Sequence, residues 1–223
     1  MLRGSLLVLL ACAAVGLSLA AQTAPDAPSQ QPAHGRLFAP EDLGILESPD
    51  RDDWQEPDRI MDALLVADGS RVADLGAGGG WFTIRLAQRV GPNGRVYAED
   101  VQPEMIESIK QRVVNQRLTN VETILGTYTD PHLPDNLDAV LVVDTYPAFE
   151  DPVSILRHVA RALAPHGRLG IVDFKQDGVG GPGPPPADRA DPEDIKRDAE
   201  KAGLRLLRDD LTLRYQYMLI FGR

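Results

Sequence analysis

Cysteine is almost absent from this 223-residue chain, and histidine is scarce. The single cysteine, Cys12, lies near the N-terminus. The rest of the chain therefore cannot form disulfides, thiolate metal sites or a cysteine nucleophile. The four histidines, His34, His132, His158 and His166, are dispersed without the spacing of metal ligands, so no metal site is predicted.

Basic residues are also in deficit, with 23 Lys and Arg against 33 Asp and Glu and a formal net charge of −10. No run of basic residues occurs. Because clustered Lys and Arg carry phosphate binding, this balance disfavours nucleic acid and anionic membrane surfaces as partners.

Long apolar runs are confined to the N-terminus, where a basic start is followed by an apolar stretch over 6–19 and small residues at 18–20. This pattern is typical of a signal peptide over 1–20 and is too short for a comfortable membrane-spanning helix. Residues 21–39, rich in Pro, Ala and Gln, are predicted to be a flexible linker. We therefore expect an exported protein, periplasmic or secreted, with a globular domain over 40–223 and no integral membrane segment after signal removal.

Cys12 has two interpretations. The run Leu9–Cys12 is similar to a bacterial lipoprotein box, in which case a lipid on Cys12 would tether the protein to a membrane. Alternatively, Cys12 is a small apolar residue inside the signal core.

The domain alternates short apolar strands with amphipathic helices. The predicted strands are Arg71–Leu75, Val96–Glu99, Val121–Leu125, Ala139–Val143, Leu169–Asp173, Leu204–Asp209 and Tyr215–Phe221. The predicted helices are Asp58–Val66, Trp81–Val90, Pro103–Arg117, Pro152–Leu163 and Pro192–Ala202. Non-alternating apolar strands indicate a parallel sheet covered on both faces, and the last two strands, which no helix separates, are predicted to form an antiparallel hairpin.

The most informative run extends from Val72 to Thr83: an apolar strand, an acid at its end, a glycine-rich turn and then a helix. Such a turn lets a ligand lie against the backbone at a helix N-terminus. A dinucleotide site needs a third glycine where this chain has Trp81. Asp74 would also repel a pyrophosphate and attract an ammonium or a sulfonium.

The run Asp74–Gly80 resembles the first motif of the class I S-adenosylmethionine-dependent methyltransferases, and the resemblance extends over about 54–221. It implies an α/β fold with a Rossmann-like, doubly wound, mostly parallel seven-stranded sheet that ends in an antiparallel hairpin. It also implies S-adenosylmethionine as cofactor and methyl transfer to a small molecule or an exposed protein group.

The resemblance further implies roles for the residues around the turn. Asp74 is expected to bind the amino group of the methionine moiety. A carboxylate at the end of the second strand is expected to bind the ribose hydroxyls; Asp100 matches the family position and Glu99 is the alternative. The backbone expected to face the carboxylate and sugar belongs to Gly76, Ala77, Gly78 and Gly80.

Residues further along the chain would complete the site. Val101 is expected to line the adenine, and Asp130 either accepts from the adenine amino group or starts a turn. Asp144 is expected to face the amino-acid end of the cofactor. Tyr146 is the candidate catalytic residue, with the alternative that it packs as a turn residue over Pro147.

Two segments could cover the cofactor or the substrate. Trp54 and Gln55 lie upstream of the first strand and could close one side, and the glycine–proline segment between Asp177 and Asp191 is either a lid or a loose loop.

Two alternative functions remain. Because S-adenosylmethionine is made inside cells, an exported chain could be a binding protein that kept the pocket and lost the chemistry. A nicotinamide-dependent oxidoreductase is the other enzyme class, which Trp81 disfavours.

Overall fold

The structure, a computed structural model, describes Met1 and residues 37–177 and 181–223. The predicted signal peptide, Cys12 and the predicted linker as far as residue 36 lie outside the described residues, apart from Met1. The last residues of the predicted linker, 37–39, lie at a large cavity. The carbonyl oxygen of Phe38 accepts a hydrogen bond from Gln102 Nε2 at 3.0 Å.

Seven strands of the described chain form one sheet in the order β3-β2-β1-β4-β5-β7-β6. The strands are β1 Arg71–Leu75, β2 Arg95–Asp100, β3 Val121–Leu125, β4 Leu137–Val143, β5 Leu163–Phe174, β6 Arg205–Asp210 and β7 Gln216–Gly222. The first five strands pair in parallel, whereas β7 pairs antiparallel with both β5 and β6. The predicted doubly wound sheet with its C-terminal antiparallel hairpin is therefore confirmed.

Helices cover both faces of the sheet. They are α1 Arg51–Gln55, α2 Pro57–Ala63, α3 Trp81–Val90, α4 Pro103–Asn115, α5 Pro152–Ala162 and α6 Pro192–Lys201. Buried side chains of α5 and α6 join one hydrophobic core, and those of α2 and α3 join the core on the opposite face. Helix α5 shows the local cause: Pro152 occupies its first turn, Asp151 accepts from Ser154 N at 3.0 Å, and Ile155 and Val159 fall on one buried face.

Strand β5 begins earlier than the sequence predicts. Residues 165–167, which separate the predicted helix Pro152–Leu163 from the predicted strand Leu169–Asp173, lie within the strand, where the register with β4 shifts between Leu137 and Ala139. Pro165 cannot donate to the ladder, and a Cβ on Gly167 would lie 2.5 Å from the carbonyl oxygen of Leu137. The segment is thus absorbed as a bulge instead of ending the strand.

The strand order positions the site. Strands β2 and β3 extend from one side of β1, and β4 pairs on its other side. Connections that leave β1 and β4 in opposite directions open a crevice at the carboxyl ends of these two strands. The residues that follow β1, β2 and β4 therefore meet at one edge of the sheet.

Candidate functional site

The turn after β1 presents backbone to the crevice. Gly76, Gly78 and Gly80 have φ values of +71°, +53° and +83°, in the region that favours glycine. A Cβ on Gly76 would overlap with the side chain of Thr145, whose Oγ1 donates to the carbonyl oxygen of Gly76 at 3.2 Å. Because Gly80 immediately precedes α3, the N-terminal amides of that helix face the same space.

Asp74 lies at the end of β1 and is only 3% exposed. Its Oδ2 accepts from Thr83 Oγ1 at 2.6 Å. Burial raises the pKa of Asp74 to about 6, while the bond from Thr83 and the charge of Arg51 oppose this rise. Sequence reasoning missed Thr83, although a hydroxyl one helical turn after the glycines was the available signal.

Glu99 and Asp100 both line the cavity at the end of β2. Asp100 Oδ2 accepts from Gly78 N and its Oδ1 from Gln102 N, each at 2.9 Å. Glu99 Oε2 accepts from Gly76 N at 3.3 Å, and burial raises the pKa of Glu99 to about 8. The two acids accept hydrogen bonds from different amides of the glycine turn. The structure therefore does not choose between them, and both stay candidates for binding the ribose.

The cavity has a volume of about 1460 Å³. Next to the two acids it is lined by Ala77, Val101 and Met105. From the segment after β3 it is lined by Thr127 and Tyr128, which sequence reasoning did not select.

Asp130 is directed elsewhere and is absent from the cavity wall. Its Oδ1 accepts from His132 N at 2.8 Å and lies 3.3 Å from His158 Nδ1 on α5. The structure therefore favours the turn interpretation of this residue over adenine contact.

Asp144 follows β4 and lines the cavity with a left-handed backbone (φ +53°), which is unusual for a residue other than glycine. Its Oδ1 accepts from Gln216 Nε2 at 2.6 Å. Burial raises the pKa of Asp144 to about 7, and Arg51 and the bond from Gln216 oppose the rise.

A buried polar network that the sequence did not reveal supports Asp144. Arg51 Nε donates to Gln55 Oε1 at 3.0 Å, and Gln55 Nε2 donates to Gln216 Oε1. Both glutamines are almost fully buried. The Arg51 guanidinium lies 4.2 Å from the ring centroid of Trp81, and both residues line the cavity. The network joins α1 to β7 across the carboxyl edge of the sheet.

Tyr146 is not brought to the cavity. It is 1% exposed, packs edge-on against Phe149 and donates its hydroxyl to Asp198 Oδ2 at 2.9 Å. Burial and the neighbouring Asp198 carboxylate raise the pKa of Tyr146 well above its usual value, so the hydroxyl keeps its proton and cannot act as a phenolate base. The structure therefore places Tyr146 in the core beside α6 instead of at the reacting atoms.

Charge decides which ligand the cavity suits. Eight acidic side chains line it: Asp42, Asp50, Asp53, Asp74, Glu99, Asp100, Asp144 and Asp188. Arg51 and Arg214 are the basic residues among the described lining residues. Carboxylates beside the glycine turn fit a cationic nucleoside and oppose a pyrophosphate. S-adenosylmethionine, with an ammonium, a sulfonium and a ribose diol, fits these groups.

Within residues 37–177 and 181–223, no three His, Cys, Asp or Glu side chains form a cluster that could hold a metal ion. None of the helices in those ranges has the length and hydropathy to cross a membrane.

Known proteins are similar to this chain in sequence and in fold. A family model described as a methyltransferase domain matches residues 67–218. An uncharacterized methyltransferase of Mycobacterium tuberculosis is 41% identical over 117 residues, which cover 52% of this chain and 44% of that protein. A demethylmenaquinone methyltransferase of Listeria monocytogenes is 30% identical over 129 residues, which cover 57% of this chain and 54% of that protein. The chain thus matches about half the length of these relatives.

A solved structure extends the match to the fold. The crystal structure of a SAM-dependent methyltransferase from Aquifex aeolicus superimposes with a TM-score of 0.78 and 28% identity, covering 83% of this chain and 98% of that one. The family match, the seven-stranded sheet and the acid-lined glycine turn agree, and the chain belongs to the class I S-adenosylmethionine-dependent methyltransferases.

Proposed function

We propose that this protein transfers a methyl group from S-adenosylmethionine to a small-molecule acceptor. The observation that carries the proposal is the cavity in which Asp74, Glu99 and Asp100 surround the glycine turn. Its volume of about 1460 Å³ exceeds the roughly 300–1,000 Å³ typical of a site for one drug-sized ligand, so a second ligand has room beside the cofactor. The Listeria relative, by its name, also acts on a small molecule.

The residues of this chain would bind the cofactor and orient its methyl group toward the acceptor. When bound, the cofactor supplies a methyl group on a positively charged sulfur, and such a transfer needs alignment more than a dedicated base. Asp74 would hold the amino group and one of Glu99 and Asp100 the ribose diol. The backbone of the turn would face the carboxylate and the sugar, and Val101 would contact the adenine.

The acidic cavity also supports the choice of acceptor. A nucleic acid would bring phosphates toward the acidic lining of the cavity, on a chain whose net charge is −10. We therefore expect no nucleic acid substrate. A protein acceptor stays the second candidate because a side chain could enter the same cavity.

Calorimetric titration of the full chain tests the cofactor. S-adenosylmethionine and its demethylated product, S-adenosylhomocysteine, should bind with a 1:1 stoichiometry, and NAD should give no heat. Methyl-labelled S-adenosylmethionine should then transfer label to the small-molecule fraction of a cell extract, and not to its protein or RNA fractions. Binding without transfer of label to any fraction would favour the alternative of an exported binding protein that has lost the chemistry. No binding of either nucleoside would overturn the proposal.

Replacing Tyr146 by phenylalanine should leave methyl transfer and cofactor affinity within about twofold of wild type. The loss of the hydrogen bond to the charged Asp198 should lower the free energy of unfolding by about 1.5–3 kcal/mol. The label-transfer assay and urea denaturation measure the two effects.

The control is Tyr217→Phe, which removes the bond from another buried tyrosine hydroxyl, in this case to a neutral acceptor, the carbonyl oxygen of Ala190 at 3.0 Å. A loss of transfer of about 100-fold in Tyr146→Phe alone, with cofactor affinity intact, would restore the catalytic role predicted from the sequence.

A further inference from the structure

Beyond the cofactor residues, the cavity has a second part built from aromatic rings. Trp54 of α1 lies with its ring centroid 5.9 Å from that of Phe174, at the end of β5, and 6.3 Å from that of Tyr215, just before β7. All three residues line the cavity. Aromatic residues are only 5% of the chain. Three of them, from distant elements, nevertheless converge on one wall of the cavity.

A glycine–proline segment, residues 181–185, lies on this wall. A Cβ on Gly181 would overlap with the ring of Tyr215. Gly183 has φ +98°, and a Cβ there would lie 2.7 Å from the ring of Phe174. Glycine thus lets the backbone rest flat on two rings, and the prolines of the segment, which also line the cavity, restrict its conformation.

The segment is fastened to the sheet by Arg189. Its Nε donates to the carbonyl oxygen of Pro184 at 2.9 Å, and its Nη1 donates to that of Lys175 at 2.6 Å. The guanidinium carbon also lies 5.6 Å from the centroid of Phe174. These contacts give the rings and the segment a fixed relative position.

Asp144 lies between the three aromatic rings and the residues expected to bind the cofactor. Gln216, which donates to Asp144, is paired with Phe174 in the β5–β7 ladder and directly follows Tyr215. On its other side Asp144 interacts electrostatically with Arg51, which also interacts with Asp74. A molecule against the rings therefore lies next to the carboxylate at the end of β4.

We propose that Trp54, Phe174, Tyr215 and the segment 181–185 form a subsite that holds the methyl acceptor as a flat, uncharged ring. This inference rests on the proposed function, since only a methyltransferase has an acceptor. Flat rings stack favourably on aromatic side chains. The lining has eight acidic side chains against Arg51 and Arg214, so its net negative charge disfavours an anionic acceptor, although the Arg214 guanidinium lies 4.8 Å from the ring centroid of Tyr215.

Three probes built on the same fused bicyclic ring system test the subsite. Full-length protein saturated with S-adenosylhomocysteine is titrated calorimetrically with 2-naphthol, 2-naphthoate and decahydro-2-naphthol, which differ in charge and in flatness. We expect 2-naphthol to bind at least about tenfold more tightly than the other two, the scale of an aromatic pair. Equal binding of the three probes, or no binding of 2-naphthol, would overturn the subsite.

Two variants locate the binding. Trp54→Leu should weaken 2-naphthol binding about tenfold and leave S-adenosylhomocysteine affinity within about twofold. Gly183→Ala, which displaces the segment from Phe174, should likewise weaken 2-naphthol binding about tenfold and leave S-adenosylhomocysteine affinity within about twofold. Gly44→Ala is its control because a Cβ there meets nothing within 4 Å. Melting temperatures of all variants verify folding.

The outcomes separate the two proposals. If S-adenosylhomocysteine itself does not bind the wild type, the proposed function is wrong, and the subsite, which rests on it, is overturned with it. If S-adenosylhomocysteine binds and neither variant changes 2-naphthol affinity, the subsite is wrong and the proposed function stands.

Discussion

Replacing Asp74 by asparagine is expected to weaken S-adenosylmethionine binding by about 10- to 100-fold, the range of a hydrogen bond to a charged group. Asparagine keeps the shape of the side chain and still offers an oxygen to Thr83 Oγ1, 2.6 Å away in the wild type. It removes the buried negative charge that would face the cofactor's ammonium. Calorimetry at about pH 8, where Asp74 is ionised, measures the loss.

The demethylated product shows which cationic group Asp74 faces. S-adenosylhomocysteine keeps the amino group and lacks the sulfonium charge, so both affinities should fall by the same factor if Asp74 binds the amino group. The control is Asp135→Asn, an equal change of charge at an exposed loop position. A change below twofold, or tighter binding, would contradict the assignment, since a pyrophosphate ligand would gain from the substitution.

The ligand-free protein is expected to lose stability as the pH rises, which is the second large effect. Burial raises the pKa of Asp74 to about 6, of Asp144 to about 7 and of Glu99 to about 8. In the unfolded chain these groups ionise near pH 4. The folded state therefore retains protons that the unfolded state releases, and its stability declines above about pH 4 until each folded pKa is passed.

Melting curves measure this decline. We expect the melting temperature of the ligand-free protein to fall by at least about 10 °C between about pH 5 and pH 8. Saturating S-adenosylmethionine, which is cationic, favours the ionised carboxylates, so the rise in melting temperature on adding it should be larger at pH 8 than at pH 5. Glu99→Gln should flatten the upper part of the profile. An equal rise at both pH values would exclude coupling between these carboxylates and the cofactor.

Local signals account for what the sequence predicted well. The run before Gly76 is apolar and ends in an acid, and the glycines after it have no side chain to obstruct a turn or a ligand. The strand, the turn and Asp74 at the sheet edge therefore follow from neighbouring residues alone. Parallel pairing of β1 with β2 then brings Glu99 and Asp100 to the same edge.

What could not be predicted depends on contacts between distant residues or on single backbone angles. The left-handed conformation of Asp144 redirects the chain, so that Thr145 packs on Gly76 and Tyr146 enters the core. Asp130, in the loop after β3, is turned away by its contact with His158 of α5. Nothing near Trp54 in the sequence indicates that it meets Phe174 and Tyr215.

The network of Arg51, Gln55, Gln216 and Asp144 has a consequence for how the protein is made. It connects the first helix of the sheet domain to the last strand, so the cavity wall is incomplete until β7 has been synthesised. A nascent chain that has not yet reached Gln216 would contain the residues of the glycine turn but not the hydrogen bond that supports Asp144. We therefore expect full cofactor affinity only after synthesis has passed Gln216, because a chain that ends earlier keeps the glycine motif and lacks the hydrogen bond to Asp144.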